Sequence, residues 1–285
     1  MPFSFERPAV GRERWVVAGL AVGVLTWVGA EIVIDYRPEK LSIAFMLAAL
    51  GPLIALHELG HAAMSHSLGW RVYRVVIGSG RPLLRFRWGE TLVDVRWLPV
   101  GGYVLPGPVE LRRPRSENAL IYLAGPGAEL LLALLLIAVV GQDRVFTPTT
   151  SVGLIGVQSV LVVIALHLLF NLLPLPGMDD EAVSDGLGAL RSPFLPRWHF
   201  VESLALPWLL RARDTKDPAA RVELLREGIR QQPDNPFLYL QLGDALKEAG
   251  DPYEARYYRL KALECPDLSP DLESELRRRL GLQPD

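Results

Sequence analysis

Four stretches of the chain stay apolar for about the twenty residues that a helix needs to cross a bilayer. They fall at roughly 15–34, 43–68, 118–140 and 152–172. Between the second and third runs a long polar loop in which the period changes. Along 81–104 (RPLLRFRWGETLVDVRWLPVGGYV) Phe86 and Trp88 alternate with Arg85 and Arg87, and Val93, Val95 and Trp97 alternate with Asp94 and Arg96. Alternation at period two predicts paired strands, and Gly89-Glu90 between the runs fits a two-residue turn with glycine first. The expected fold is an all-α membrane protein of about four transmembrane helices, with a β-hairpin inserted in the 70–115 loop.

Beyond residue 192 the long apolar runs stop and charged, soluble-looking helices begin. "QQPDNP" around Pro233 recurs as "ECPDLSP" around Pro266. Between them Tyr239, Leu242, Gly243, Leu246, Gly250, Ala255 and Ala262 resemble a tetratricopeptide helix pair, although Arg259 stands where a large apolar residue is expected. Trp198, Phe200, Val201, Leu204, Trp208 and Leu209 predict a short helix, lying at the membrane interface or packed in a core. The chain therefore divides into an N-terminal signal-anchor helix (1–40), a membrane core (41–192) and a TPR-like α-helical domain (193–285).

Composition agrees. Of the 285 residues 50% are hydrophobic, and the mean hydropathy is +0.21, too apolar for an ordinary soluble protein of this size. A net charge of −2 says little, because the charges are unevenly placed. Arg7, Arg12, Arg14 and nine arginines from Arg71 to Arg115 lie on one side of a four-span topology, against Arg37, Lys40 and Arg144 on the other. The positive-inside rule then puts both termini and the hairpin in the cytoplasm of a multi-pass inner-membrane protein. No small-x-small site closes the first apolar run, so it is expected to be retained. A single cysteine, Cys265, excludes an internal disulfide framework. No nucleic-acid partner is expected.

The chemistry lies in the second apolar run, which holds His57-Glu58-Leu59-Gly60-His61. On a helix, residues four apart share a face, so His57 and His61 can hold one metal while Glu58 takes a proton from water beside it. A central charge in a spanning helix costs roughly 2.5–3.5 kcal/mol on insertion scales, which argues against a bland reading of the cluster. Zinc needs a third protein ligand and an open position. The stretch after the fourth run, 171–186, offers Asp179, Asp180 and Asp185 beyond helix-breaking prolines. Irregular backbone at membrane depth is tolerated only where it is buried or lines a cavity. His66 and His199 read as interfacial and surface residues, and His167 as a helix–helix hydrogen-bonding group or a support for the metal. Gly51-Pro52 is expected to loosen its helix.

Together these motifs resemble those of the site-2 proteases, a family of intramembrane zinc metalloproteases. The resemblance rests on His57 to His61, on Leu98-Pro-Val-Gly-Gly-Tyr103, on Ala124-Gly-Pro126, and on Asn171 to Pro174 followed by an aspartate, and it covers about residues 41–191. It implies one Zn²⁺ per chain and Glu58 as catalytic base. Asn171 and the Gly101-Gly102-Tyr103 strand edge would hold the substrate, a transmembrane protein segment. A cytoplasmic partner would dock on the helical repeat. The third ligand is expected to be Asp185, whose neighbour Gly186 allows close backbone approach, with Asp179 the alternative that motif spacing selects. Glu129 departs from the family, which usually has asparagine there; it either packs protonated against another helix or replaces a polar contact near substrate. Two other readings fit parts of the pattern: a membrane zincin with a distant glutamate ligand, and an inactive scaffold that binds partners through its repeat.

Overall fold

A computed structural model describes residues 13–174 and 183–282. The chain is mostly helical, with one two-stranded antiparallel hairpin. It divides into two compact units.

The first unit comprises Met1–Ser65, Val72–Leu105 and Ala119–Leu190. Helix α1 spans Glu13–Ile34, and α2 spans Leu41–Ser67 without a break at Pro52. Strands β1 (Arg71–Trp88) and β2 (Thr91–Gly107) form the hairpin. Then come α3 (Pro114–Val140), a single turn α4 (Gln142–Val145), α5 (Val152–Leu172) and α6 (Asp185–Arg191). Among the described residues three helical stretches are long and apolar enough to cross a membrane: Pro38–Ser67, Pro114–Val140 and Val152–Leu172. They correspond to the second, third and fourth predicted runs.

Lipid tails are as apolar as leucine, so spanning helices associate by close packing more than by hydrophobic burial. Here Gly60 of α2 faces Ala124 and Ala128 of α3 with no room for a side chain. Ala49, Leu53, Val163 and Ile164 form a small core between α2 and α5.

The hairpin turns at Gly89-Glu90, as its pattern predicts, and Gly89 takes φ +61° there, which a side chain disfavours. Its first strand begins ten residues earlier than the alternation indicates. Asp94, expected on the polar face, is fully buried between Arg74 and Arg85, with Arg74 Nε donating to it at 2.9 Å. Burial alone would raise the Asp94 carboxyl, but the hydrogen bonds from Arg85 and Arg74 outweigh it and hold the group below its ordinary value. Leu83, Leu84, Phe86 and Trp88 are exposed near the hairpin tip.

The second unit comprises His66–Arg71, Pro106–Asn118 and Arg191–Asp285. It carries α7 (Arg197–Leu204), α8 (Leu206–Asp214), α9 (Pro218–Gln231), α10 (Pro236–Glu248), α11 (Pro252–Leu263) and α12 (Pro270–Leu280). The last four start alike. A capping residue (Asp217, Asn235, Asp251 or Ser269) accepts from backbone N–H groups of the first turn, and a proline follows it at the first helical position. Trp208, Leu225, Leu238, Leu242 and Ala255 share one core. Phe200 and Val201 are buried, so the aromatic stretch at 198–209 packs as core. Arg259 lays its stem against Gly243 and donates to Asp244 at 2.7 Å, which explains an arginine at an inward-facing position.

Candidate metal centre

Helix α2 runs through the membrane core of the first unit with His57 and His61 one turn apart. Both are buried, at 7% exposure, and so is Glu58, at 5%. The four-residue spacing brings the two imidazoles together edge to face, and their Nε2 atoms lie 3.0 Å apart. Asp185, on the first turn of α6, completes the cluster. One Oδ is 2.9 Å from His57 Nε2 and the other 3.5 Å from His61 Nε2. Ligand atoms of His57, His61 and Asp185 all lie within 4.8 Å of one another.

Zinc fits this donor set. His57 Nδ1 lies 3.2 Å from Glu129 Oε1, and His61 Nδ1 lies 2.6 Å from the Ile121 carbonyl oxygen. Both partners are acceptors, so each neutral imidazole carries its proton on Nδ1 and presents a bare lone pair on Nε2. Two lone pairs 3.0 Å apart repel each other, and the adjacent carboxylate adds negative charge. Among the described residues the buried Asp185 Oδ2 has no hydrogen-bond donor, although it lies beside His57. A cation between the three groups resolves each of these conflicts, and two nitrogens with one oxygen is a zinc ligand set that leaves a fourth position open.

Glycines make the space. A Cβ on Gly125 of α3 would collide with the Nε2 atoms of both histidines, so Ala124-Gly125-Pro126 brings bare backbone against the imidazoles. A Cβ on Gly186 would collide with the Leu172 carbonyl at the end of α5. Gly186 therefore allows the close backbone approach that seats Asp185. A Cβ on Gly102 of β2 would run into the Glu58 carboxylate and the Val76 carbonyl. The hairpin thus places its Gly101-Gly102-Tyr103 segment beside Glu58, whose Oε2 is buried without a hydrogen-bond partner among the described residues.

Other predicted positions fall as follows. Asn171 lies in the last turn of α5, half-buried. Asp179 and Asp180 lie outside the described residues. His66 and His199 are exposed and apart from the metal cluster. His167 Nδ1 lies 3.0 Å from Glu129 Oε1. Glu129 also pairs with His57, a role beyond the packing or substrate contact expected of it. The available signal was a second ionisable group in the middle of a spanning helix, which has to face a partner.

Comparison with known proteins agrees with this geometry. Residues 45–145 match peptidase family M50. A Synechocystis sp. protein bearing a zinc metalloprotease name is 34% identical over 139 residues, 43% of this chain and 36% of that protein. Rip2 of Mycolicibacterium smegmatis, also named as a zinc metalloprotease, is 29% identical over 202 residues, 66% of this chain and 71% of Rip2. The zinc metalloprotease Rip1 of Mycobacterium tuberculosis is 33% identical over 128 residues, 39% of this chain and 31% of Rip1. The chain thus spans only about a third of the Synechocystis protein's length. The domain match runs through His57, Glu58, His61, Gly102 and Gly125, so residues 45–145 carry a peptidase family M50 (site-2 protease) domain, and the relatives that align with the chain bear zinc metalloprotease names.

Proposed function

We propose that this chain is an integral-membrane zinc endopeptidase that cuts transmembrane segments of other proteins. One observation carries the reading: two imidazole Nε2 atoms of the spanning helix α2 and the Asp185 carboxylate of α6 converge, and next to His57 in sequence Glu58 keeps a buried Oε2 that has no hydrogen-bond partner among the described residues.

In this reading His57, His61 and Asp185 hold Zn²⁺. When bound, zinc supplies a Lewis acid that polarises a carbonyl and makes water more acidic. Glu58 accepts the proton of the attacking water and passes it to the leaving amine. The Glu129 and Ile121 contacts keep the two histidines in the tautomer that leaves Nε2 unprotonated. A peptide bond within a helix is shielded, so the substrate must unwind to reach Glu58. The unwound segment is offered the β2 edge at Gly101-Gly102-Tyr103, where main-chain hydrogen bonds capture an extended strand without demanding a particular sequence. Asn171, at the end of α5, is assigned to hold the same segment.

The wider organisation belongs to the same proposal. Helix α1 serves as a fourth, signal-anchor span, and the arginine distribution places both termini and the hairpin in the cytoplasm of an inner-membrane protein. Residues 41–192 form the protease core. Helices α10 and α11 act as a tetratricopeptide-like pair, supported by the close contact at Gly243 and by the buried Ala255 and Ala262. That pair would recruit a cytoplasmic partner or a substrate tail. The test is to compare membrane proteins in cells carrying the wild type or Glu58→Gln. A transmembrane protein that accumulates uncut only with Glu58→Gln supports protease function, and identical profiles support a scaffold.

A further inference from the structure

We propose that Glu129 is the positioning residue of the metal centre, its carboxylate fixing His57 toward the metal while His167 braces it from a third helix. The inference rests on His57 being a metal ligand.

Glu129 has no exposed surface and sits in the middle of α3. A carboxylate there is costly unless its oxygens are used. One oxygen is used twice: Oε1 lies 3.2 Å from His57 Nδ1 and 3.0 Å from His167 Nδ1, while Oε2 is buried without a hydrogen-bond partner among the described residues. An ionised carboxylate only accepts hydrogen bonds, so both rings must present Nδ1–H to it. For His57 this fixes the tautomer and the ring plane together, and leaves Nε2 as the free lone pair. One atom of α3 thereby ties α2 to α5 behind the ligand.

The two histidines are held differently. His61 leans on a neutral backbone carbonyl, that of Ile121, whereas His57 leans on an anion. The difference bears on the charge of the site. Zinc with two neutral imidazoles and one aspartate keeps a net positive charge in a region shielded from water. Together with the Glu58 carboxylate, that of Glu129 more than offsets it, and at short range, where low dielectric makes the attraction strong, it stabilises the bound cation. A carboxamide at this position would orient His57 equally well and cancel nothing. Carboxylates behind a ligating histidine make it more basic, and losing them typically weakens metal affinity roughly 10- to 100-fold.

The experiment uses the full chain in detergent with Glu129→Gln, Glu129→Asp and His57→Ala. Zinc affinity is read by competition with a chromophoric chelator, the ligand field by the absorption of the Co²⁺-loaded protein, and folding by thermal unfolding of the metal-stripped protein. Glu129→Gln should bind zinc roughly 10- to 100-fold more weakly and shift the Co²⁺ bands, with metal-free unfolding close to wild type. Glu129→Asp, which keeps the charge, should recover part of the affinity. If Glu129→Gln lowers the metal-free unfolding temperature but binds zinc as wild type does while His57→Ala loses zinc, Glu129 only bridges helices and this inference alone fails. If His57→Ala retains zinc, the ligand assignment fails first and this inference with it.

Discussion

Gly102 lies so close to Glu58 that a methyl group at residue 102 would overlap the carboxylate. The strand edge and the Glu58 carboxylate are therefore built against each other. Gly102→Ala should push Glu58 aside or lift the strand. A misplacement of about 1 Å at a reacting group can cost on the order of 100-fold in rate. The expectation is cleavage slowed by at least about tenfold with zinc content unchanged, because the atoms nearest such a methyl group belong to Glu58 and Val76 and not to the proposed metal ligands. Wild-type turnover by Gly102→Ala would show that the space beside Glu58 is not needed.

Asp185→Ala should lose zinc and nearly all activity, whereas Asp179→Ala should be mild. Asp185 reaches both histidines, and Gly186 is needed for the contact of α6 with the end of α5. Zinc stoichiometry of the two alanine variants decides the matter. Loss in Asp179→Ala with retention in Asp185→Ala would mean that motif spacing identified the ligand.

The hairpin should weaken in acid. Asp94 is held below its ordinary value in the folded chain by Arg85 and Arg74, which overcome the opposing effect of burial. A carboxyl with a depressed folded pKa adds stability above its unfolded pKa, about 3.9, and loses it as pH falls through the folded value. Protection of the β1 and β2 amides, relative to their intrinsic exchange at each pH, should therefore fall below about pH 4. Asp94→Asn should weaken protection at neutral pH by about 1–3 kcal/mol and abolish that acid dependence. Exchange identical to wild type in Asp94→Asn would remove the ion-pair explanation.

A reporter fused after Asp285 should be active only in the cytoplasm. The prediction follows from the arginine-rich 71–115 loop and the three apolar helices together with α1. Activity on the far side would overturn the four-span arrangement.

What could be read in advance was whatever depends on local period and length. The spanning helices declare themselves by twenty apolar residues, the hairpin turn by Gly89-Glu90, and the histidine pair by a spacing of one helical turn. Strand β1 was foreseen only from about residue 81, because Gly78 and Gly80, at φ +84° and +82°, interrupt its alternation. Asp94 looked like a solvent-facing residue because its partner Arg74 lies 20 positions away. The Glu129–His57 contact joins residues 72 apart on different helices, and no local pattern encodes such a pair.

The central claim is that a zinc site inside the membrane core works with Glu58 as its base. The most direct measurement takes purified wild type and Glu58→Gln, determines zinc per chain, and follows cleavage of a model transmembrane substrate in the same lipid. The amide preserves the shape of the side chain but cannot accept the proton. The account predicts equal zinc in both proteins and cleavage slowed by roughly 10²- to 10⁴-fold in Glu58→Gln. Wild-type protein that binds no zinc, or Glu58→Gln that cleaves at the wild-type rate, would contradict it.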